Sequence, residues 1–373
     1  MKVALIQDWL TEIGGAEKVF SAILDLYPEA DVFTLTSHNR VISELGISKS
    51  KLKESFISRL PFGRKHYRYY LPLFPQAVES LDFSSYDLII SSSSSVAKGV
   101  LKNSDQLHIC YCHSPVRYAW DLYHQYIKES RLTGWGLKGV FVRHVLHNLR
   151  IWDVISANRV DVFVANSRYI QRRIANTYRR ESVVIYPPVN VNHFEVNIDK
   201  ADYYFTASRM VPYKRIDLIV SAFSKMKNKK LVVAGVGPDL KRIKELAGAN
   251  IDFLGFVSDE KMKALMSNAK AFVFAANEDF GIIPLEAQAC GTPVIAFGKG
   301  GALETVAHGR TGVHFKEQTE DCLLEAIASF EKDFTFDPLV IRRHAEQFST
   351  ERFKRDFSAF VENEVKGFFE KEV

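Results

Sequence analysis

Short, nearly uninterrupted apolar runs alternate with amphipathic stretches along this 373-residue chain, and that rhythm limits the fold more than any other feature. In the first half, KVALI (2–6), DVFTLT, DLIIS, LHICYC, DVFVANS and SVVIY have the composition of strands buried on both faces. Residues 16–26 place Val19, Phe20, Ile23, Leu24 and Leu26 on one broad helical face. The second half repeats the pattern, with YYFTAS, KLVVAGV, IDFLGF, AFVFAA, PVIAF and GVHF as strands. Helical spacing falls between them at 216–226, 239–247, 259–268 and 320–330. Strands and helices that alternate in this way pair in parallel and cover both faces of the sheet with helices. The predicted class is α/β, with two doubly wound parallel sheets.

A chain of this length exceeds one ordinary core, so two domains are expected. The stretch PPVNVNHFEVNIDKAD, 187–202, has two prolines, three asparagines and little periodicity, and reads as the break. The domains are therefore placed at 1–190 and 200–345. An amphipathic helix at 351–370 is expected to join the first domain. The composition is 47% hydrophobic and 25% charged, which excludes disorder. A net charge of +5 suits a nucleotide substrate or an anionic membrane surface and does not require nucleic acid.

No apolar run is long enough to span a bilayer. MKVALIQDWLTEIGG lacks a signal peptide's small-residue cleavage site and reads as a first strand, so a cytoplasmic enzyme is expected. Four cysteines make no disulfide framework. In HICYCH, 108–113, the side chains of His108, Cys110 and Cys112 would share one face of a strand. No second pair such as CxxC accompanies them, so a buried strand is expected rather than a metal site.

In open α/β sheets, ligands bind beyond the carboxyl ends of the strands. Candidate site residues therefore follow each strand. After the first come Gly14 and Gly15 at a helix start, where free N–H groups can meet an anion. A glycine pair also opens helices that bind nothing, and the dinucleotide spacing GxGxxG is missing. SSSSS, 91–95, follows another strand and reads as a loop. ASRMVPYKRID carries Arg209 and Lys214, a planar fork and a compact charge that could clamp a diphosphate. A solvated loop would carry the same residues. VVAGVGPDL and GKGGALETV offer further glycine loops.

The stretch NEDFGIIPLEAQAC, 277–290, places Glu278 at a strand end and Glu286 in the first turns of a helix. Gly281 is its flexible point, and Pro284 lies where a first turn tolerates it. The N–H groups near Gly281, Ile282 and Ile283 lack intrahelical partners and can hold phosphate or sugar oxygens.

These residues together resemble the retaining glycosyltransferases of family 4, which have the GT-B fold. The family's E-x7-E pattern matches EDFGIIPLE, and its Arg and Lys match Arg209 and Lys214. Its GG loop matches Gly14-Gly15. CHSPVRYAWD (112–121) and RVDVFVANSRYIQRRI (159–174) resemble bacterial mannosyltransferases of O-antigen and exopolysaccharide assembly. The resemblance implies two Rossmann-like domains whose sheets face a central cleft, with the donor bound mainly by the second. It implies that Arg209 and Lys214 stabilise a diphosphate leaving group, and that Glu286 accepts from ribose hydroxyls and Glu278 from the donor sugar. It places the backbone of Phe280, Gly281, Ile282 and Ile283 against sugar and phosphates. It sets His113 by the sugar, Gly15 by the phosphates and Val257 by the base.

GDP-mannose is the donor the resemblance implies, with a UDP-hexose as the alternative. No divalent metal is implied, and the chain contains no Asp-x-Asp. A lipid-linked or polysaccharide acceptor is expected. The segment 48–75, with Lys49, Lys51, Lys53, Arg59, Arg64, Lys65 and Arg68 among aromatics, could contact the inner membrane surface. A solvated, self-packed face would have the same composition. A non-catalytic sugar-binding protein and a nucleotide-sugar epimerase are the competing classes.

Overall fold

A computed structural model describes residues 1–129 and 136–370. The chain divides into two compact units. One comprises Met1–Tyr186 and the chain from Phe353 onward; the other is Pro187–Arg352.

The first unit holds a seven-stranded, wholly parallel sheet. Its strands are β1 (Val3–Gln7), β2 (Asp31–Thr34), β3 (Leu52–Glu54), β4 (Leu88–Ser93), β5 (Leu107–Cys112), β6 (Val162–Ala165) and β7 (Val183–Val184). Their order is β3-β2-β1-β4-β5-β6-β7. The second unit holds a six-stranded parallel sheet of β8 (Tyr204–Ala207), β9 (Leu231–Ala234), β10 (Ile251–Gly255), β11 (Ala271–Phe274), β12 (Val294–Phe297) and β13 (Gly312–Phe315). Its order, β10-β9-β8-β11-β12-β13, is the same winding. Each sheet thus reverses direction once, between β1 and β4 or between β8 and β11. Those two switch points are where a doubly wound sheet leaves a crevice for ligands.

The two-residue side-chain period explains why the strands are apolar throughout. Ala4 and Ile6 join one core of the first unit, and Leu5 joins the other. The Leu5 face is covered by Val19, Phe20 and Ile23 of helix Gly15–Leu26 and by Phe353, Phe357 and Val361 of helix Thr350–Phe369. Phe353 and Phe357 stack 5.5 Å apart, with Tyr111 edge-on to both. Truncating a ring as buried as Phe353 costs about 3–5 kcal/mol. In the second unit, Ile219 and Phe223 of helix Ile216–Lys225 pack with Leu323 and Ile327 of helix Glu320–Asp333 over Val233, Val273 and Ile295.

Three local readings are corrected. Strand β3 lies inside the basic segment 48–75, where its three residues are too few for apolar alternation to show. Ser91, Ser92 and Ser93 are buried strand residues of β4, not loop. Residues 187–202 are irregular but packed. Val189 donates its N–H to Phe348 at 2.8 Å, and Lys200 Nζ donates to Ser267 O, Cys290 O and Thr292 Oγ1. The prolines end the strand pattern there without freeing the backbone.

Cys110 and Cys112 pack among Phe163, Ile170, Ile174 and Tyr178, and His108 Nε2 lies 2.8 Å from Ser91 Oγ. The described residues contain no group of three His, Cys, Asp or Glu placed to share a metal ion. Among them, no helix is long and apolar enough to cross a membrane.

Candidate active site

At the switch point of the second unit, two strand-end loops meet. The loop after β8 exposes Arg209, then tightens into a 3-10 turn, Pro212–Lys214. Pro212 presets the helical φ at that turn's start. Arg215 closes it in the left-handed region at φ 54°. The loop after β11 carries Asn277, Glu278 and Asp279 to the start of helix Ile282–Ala289. Lys214 Nζ forms a salt bridge with Glu278 Oε1, and both side chains are largely shielded, at 20% and 17% exposed. Gln318 joins the same loops. Its Nε2 donates to Ala275 O at 2.7 Å, and its Oε1 accepts from Arg215 Nη1 at 3.4 Å.

Helix Ile282–Ala289 begins at Gly281, whose φ of 87° suits a residue without Cβ. Leu285, Ala287 and Ala289 are fully buried, so beyond its first turn Glu286 is the part-exposed side chain of a helix committed to the core. The far end of the helix is held by Arg342, whose Nη1 donates to Ala289 O at 2.8 Å and to Val191 and Phe194 carbonyls. A cation there complements the helix dipole and leaves the positive end at Gly281. Phe280 is buried with its ring 5.8 Å from Phe348. Ile282 and Ile283 are half-buried beside it.

The glycine loops after β9 and β12 pack closely on neighbouring loops. A Cβ on Gly301 would lie 2.2 Å from Phe280 Cα, and one on Gly235 would lie 1.9 Å from Ser208 O. Gly301 N also donates to Glu278 O at 2.8 Å. The loops after β9 and β12 are therefore seats for the loops that carry Arg209 and Glu278. Val257, two residues past β10, is buried, whereas Phe256 beside it is 83% exposed.

The first unit has its own polar assembly at its switch point. Asp8, just past β1, is buried and accepts from the backbone N–H groups of Ser94, Ser95, Val96 and Ala97 and from the Ser94 hydroxyl. Burial pushes its carboxyl above the ordinary value, against the pull of these donors. His113 ends β5 with Nε2 2.8 Å from Ser92 Oγ, and its carbonyl accepts from Asn166. Burial holds the imidazole down at about 4, so it is neutral at physiological pH. The exposed Gly14 heads helix Gly15–Leu26, and its N–H donates to the buried Glu17 carboxylate at 2.9 Å. The Gly14 N–H is therefore taken by a carboxylate of the helix's own first turn.

The structure thus brings Lys214 and Glu278 into direct contact, keeps Arg209 on the same loop, and strings Phe280, Gly281, Ile282, Ile283 and Glu286 along one helix start. Gly14, Gly15 and His113 belong to the first unit. Asp8, Arg215 and Gln318 escaped the sequence reading, and Ser92 was read only as part of a loop. Asp8 had one signal, a polar residue near the end of an apolar run, which many solvated loops share.

Comparison with known proteins bears on the family and the fold. Residues 13–193 match the family model "Glycosyltransferase Family 4", and residues 189–347 match "Glycosyl transferases group 1". A GDP-mannose-dependent alpha-(1-6)-phosphatidylinositol monomannoside mannosyltransferase of Mycobacterium tuberculosis is 33% identical over 138 residues, 32% of this chain and 36% of that protein. The alpha-1,3/1,6-mannosyltransferase ALG2 of Kluyveromyces lactis is 27% identical over 270 residues, 54% of each chain. This chain therefore spans about half or less of the curated relatives it matches. Among solved structures, Anabaena Alr3699/HepE in complex with UDP-glucose superposes with a TM-score of 0.70 at 18% identity, over 97% of this chain and 100% of that one. Sucrose-phosphate synthase from Thermosynechococcus elongatus gives 0.71 at 16% identity, over 97% and 99%. The two matched family segments run together from residue 13 to residue 347, and the chain belongs to the family 4, group 1 glycosyltransferases of the GT-B fold.

Proposed function

We propose that this glycosyltransferase moves mannose from GDP-mannose onto a lipid-linked or polysaccharide acceptor of a cell-surface glycan, with retention of anomeric configuration and without a divalent metal. The observation that carries the reading is the Lys214–Glu278 contact, beside Arg209 and the start of helix Ile282–Ala289. It gathers cations for a diphosphate, a carboxylate for sugar hydroxyls and a helix N-terminus within one pair of loops.

Breaking a glycosyl–phosphate bond builds negative charge on the departing diphosphate. Fixed Arg209, Lys214 and backbone N–H groups stabilise that charge without reorganising. The Lys214 ammonium has three donors, so it can serve Glu278 and a phosphate oxygen together. Glu278 orients the sugar, Glu286 accepts from the ribose, and Val257 lies by the base. In the first unit, neutral His113 is suited to hydrogen-bond a sugar hydroxyl, and the Gly14-Gly15 backbone to meet a phosphate. The names of the mannosyltransferase relatives favour mannose and GDP. The UDP-glucose bound by Alr3699/HepE favours a second reading, a UDP-hexose donor.

A donor panel tests both. GDP-mannose and UDP-hexoses are incubated with lipid acceptors, and nucleoside diphosphate release is followed. Acceptor-dependent GDP release is expected. Release from UDP-hexoses alone selects the second reading, and no release from any donor favours a binding protein.

A further inference from the structure

Ser92 lies on β4, the central strand of the first sheet, and is wholly buried. A parallel strand covered on both faces is ordinarily apolar, so a hydroxyl there calls for a partner. That partner is the His113 ring, whose Nε2 is 2.8 Å from Ser92 Oγ. Among the described residues, the Ser92 hydroxyl has no other.

The contact can be filled in two ways. If Nε2 carried the hydrogen, Ser92 Oγ would accept it, and the serine O–H would sit in the core without an acceptor. If Ser92 donates its O–H to Nε2, the buried hydrogen is used and only oxygen lone pairs are left over. Orphaned donors are the rarer fault in folded proteins, which favours the second arrangement. Burial keeps the ring neutral, so its own hydrogen then rests on Nδ1.

The neighbouring pair repeats the pattern. Ser91 Oγ lies 2.8 Å from His108 Nε2, and His108 Nδ1 lies 3.4 Å from Arg159 O. A carbonyl can only accept, so His108 holds its hydrogen on Nδ1 and takes the serine's on Nε2. The two histidines differ at Nδ1. Arg159 O takes it in His108, whereas no group among the described residues takes it in His113. The backbone beneath the His113 ring is pinned, since its N–H donates to Ser93 O at 2.8 Å and its carbonyl accepts from Asn166 Nδ2 at 3.0 Å.

We propose that Ser92 is a positioning residue: it holds His113 as the Nδ1–H tautomer, so that His113 donates a hydrogen bond to a substrate oxygen and does not draw a proton from the acceptor hydroxyl. The substrate contact rests on the transferase reading; the tautomer does not.

The test uses the full chain carrying nitrogen-15-labelled histidine, in a long-range proton–nitrogen NMR spectrum at neutral pH. Comparison with His113→Gln and His108→Gln assigns the two rings. Both are expected to show hydrogen on Nδ1 and none on Nε2. Ser92→Ala is expected to move the His113 hydrogen at least partly to Nε2 and to leave His108 unchanged. Ser92→Thr, which keeps the hydroxyl, is expected to restore the wild-type pattern. On a donor that the wild type turns over, Ser92→Ala is expected to lower kcat/KM about fivefold to tenfold, the worth of one hydrogen bond, and Ser92→Thr to recover most of it. Wild-type His113 with its hydrogen on Nε2, a Ser92→Ala spectrum like the wild type's, or a moved hydrogen with unchanged kcat/KM would each overturn the proposal. A wild type inactive on every donor would instead strike the transferase reading, and the spectrum alone would still decide the tautomer.

Discussion

The substitution Gly301→Ala tests whether the glycine loops are seats for the site. The added methyl would stand 2.2 Å from Phe280 Cα and 2.3 Å from Phe280 O. Carbon atoms pack at about 3.5 Å, so the two loops must part by about 1 Å. Overpacking of this kind costs about 1–3 kcal/mol, or a Tm loss of roughly 2–10 °C. The larger consequence is at the site. The Gly301 N–H holds Glu278 O at 2.8 Å, and Phe280 leads directly into Gly281 and the helix start. A 1 Å displacement of positioning groups costs on the order of 100-fold in rate. The assay pairs donor turnover with a thermal melt, using Gly367→Ala as a control, since a Cβ there meets nothing within 4 Å. A Gly301→Ala protein with wild-type kcat/KM and Tm would refute the seating role.

Other outcomes follow from the same geometry. Asp8→Asn replaces an acceptor-only carboxylate facing four N–H groups and is expected to destabilise by about 2–4 kcal/mol, measured by urea denaturation. His108 and His113 are both held at about 4 by burial, below the ordinary 6.5, so the unfolded chain binds more protons between those values. Stability is then full above about pH 7 and falls as pH drops toward 4, by up to about 3 kcal/mol per histidine. A pH series of unfolding midpoints that stays flat from 7 to 4 would contradict this. Because cations and helix amides are proposed to carry the leaving charge, chelation with EDTA is expected to leave turnover unchanged, and a dependence on added Mg²⁺ or Mn²⁺ would contradict that role.

Much of the architecture was legible because buried parallel strands must be apolar on both faces, and KVALI or AFVFAA can hardly be anything else. Legibility failed where that rule does not apply. Strand β3, LKE, is short and carries two charged residues. The serines of β4 look like loop by composition, yet Ser91 and Ser92 are tied to His108 and His113. Lys214 and Glu278 were both named from their strand ends, but their contact depends on β8 lying next to β11, a pairing that periodicity cannot express. Gly301 was visible as a glycine, but what it touches is a backbone remote in sequence.

The most direct measurement is acceptor-dependent GDP release from GDP-mannose by the wild type, Lys214→Ala and Glu286→Ala, with a melt of each protein. Loss of a fixed group facing the leaving charge or the ribose is expected to lower turnover about 100-fold or more while the fold stays intact. Near wild-type turnover in both variants would contradict the placement of the donor at these two loops.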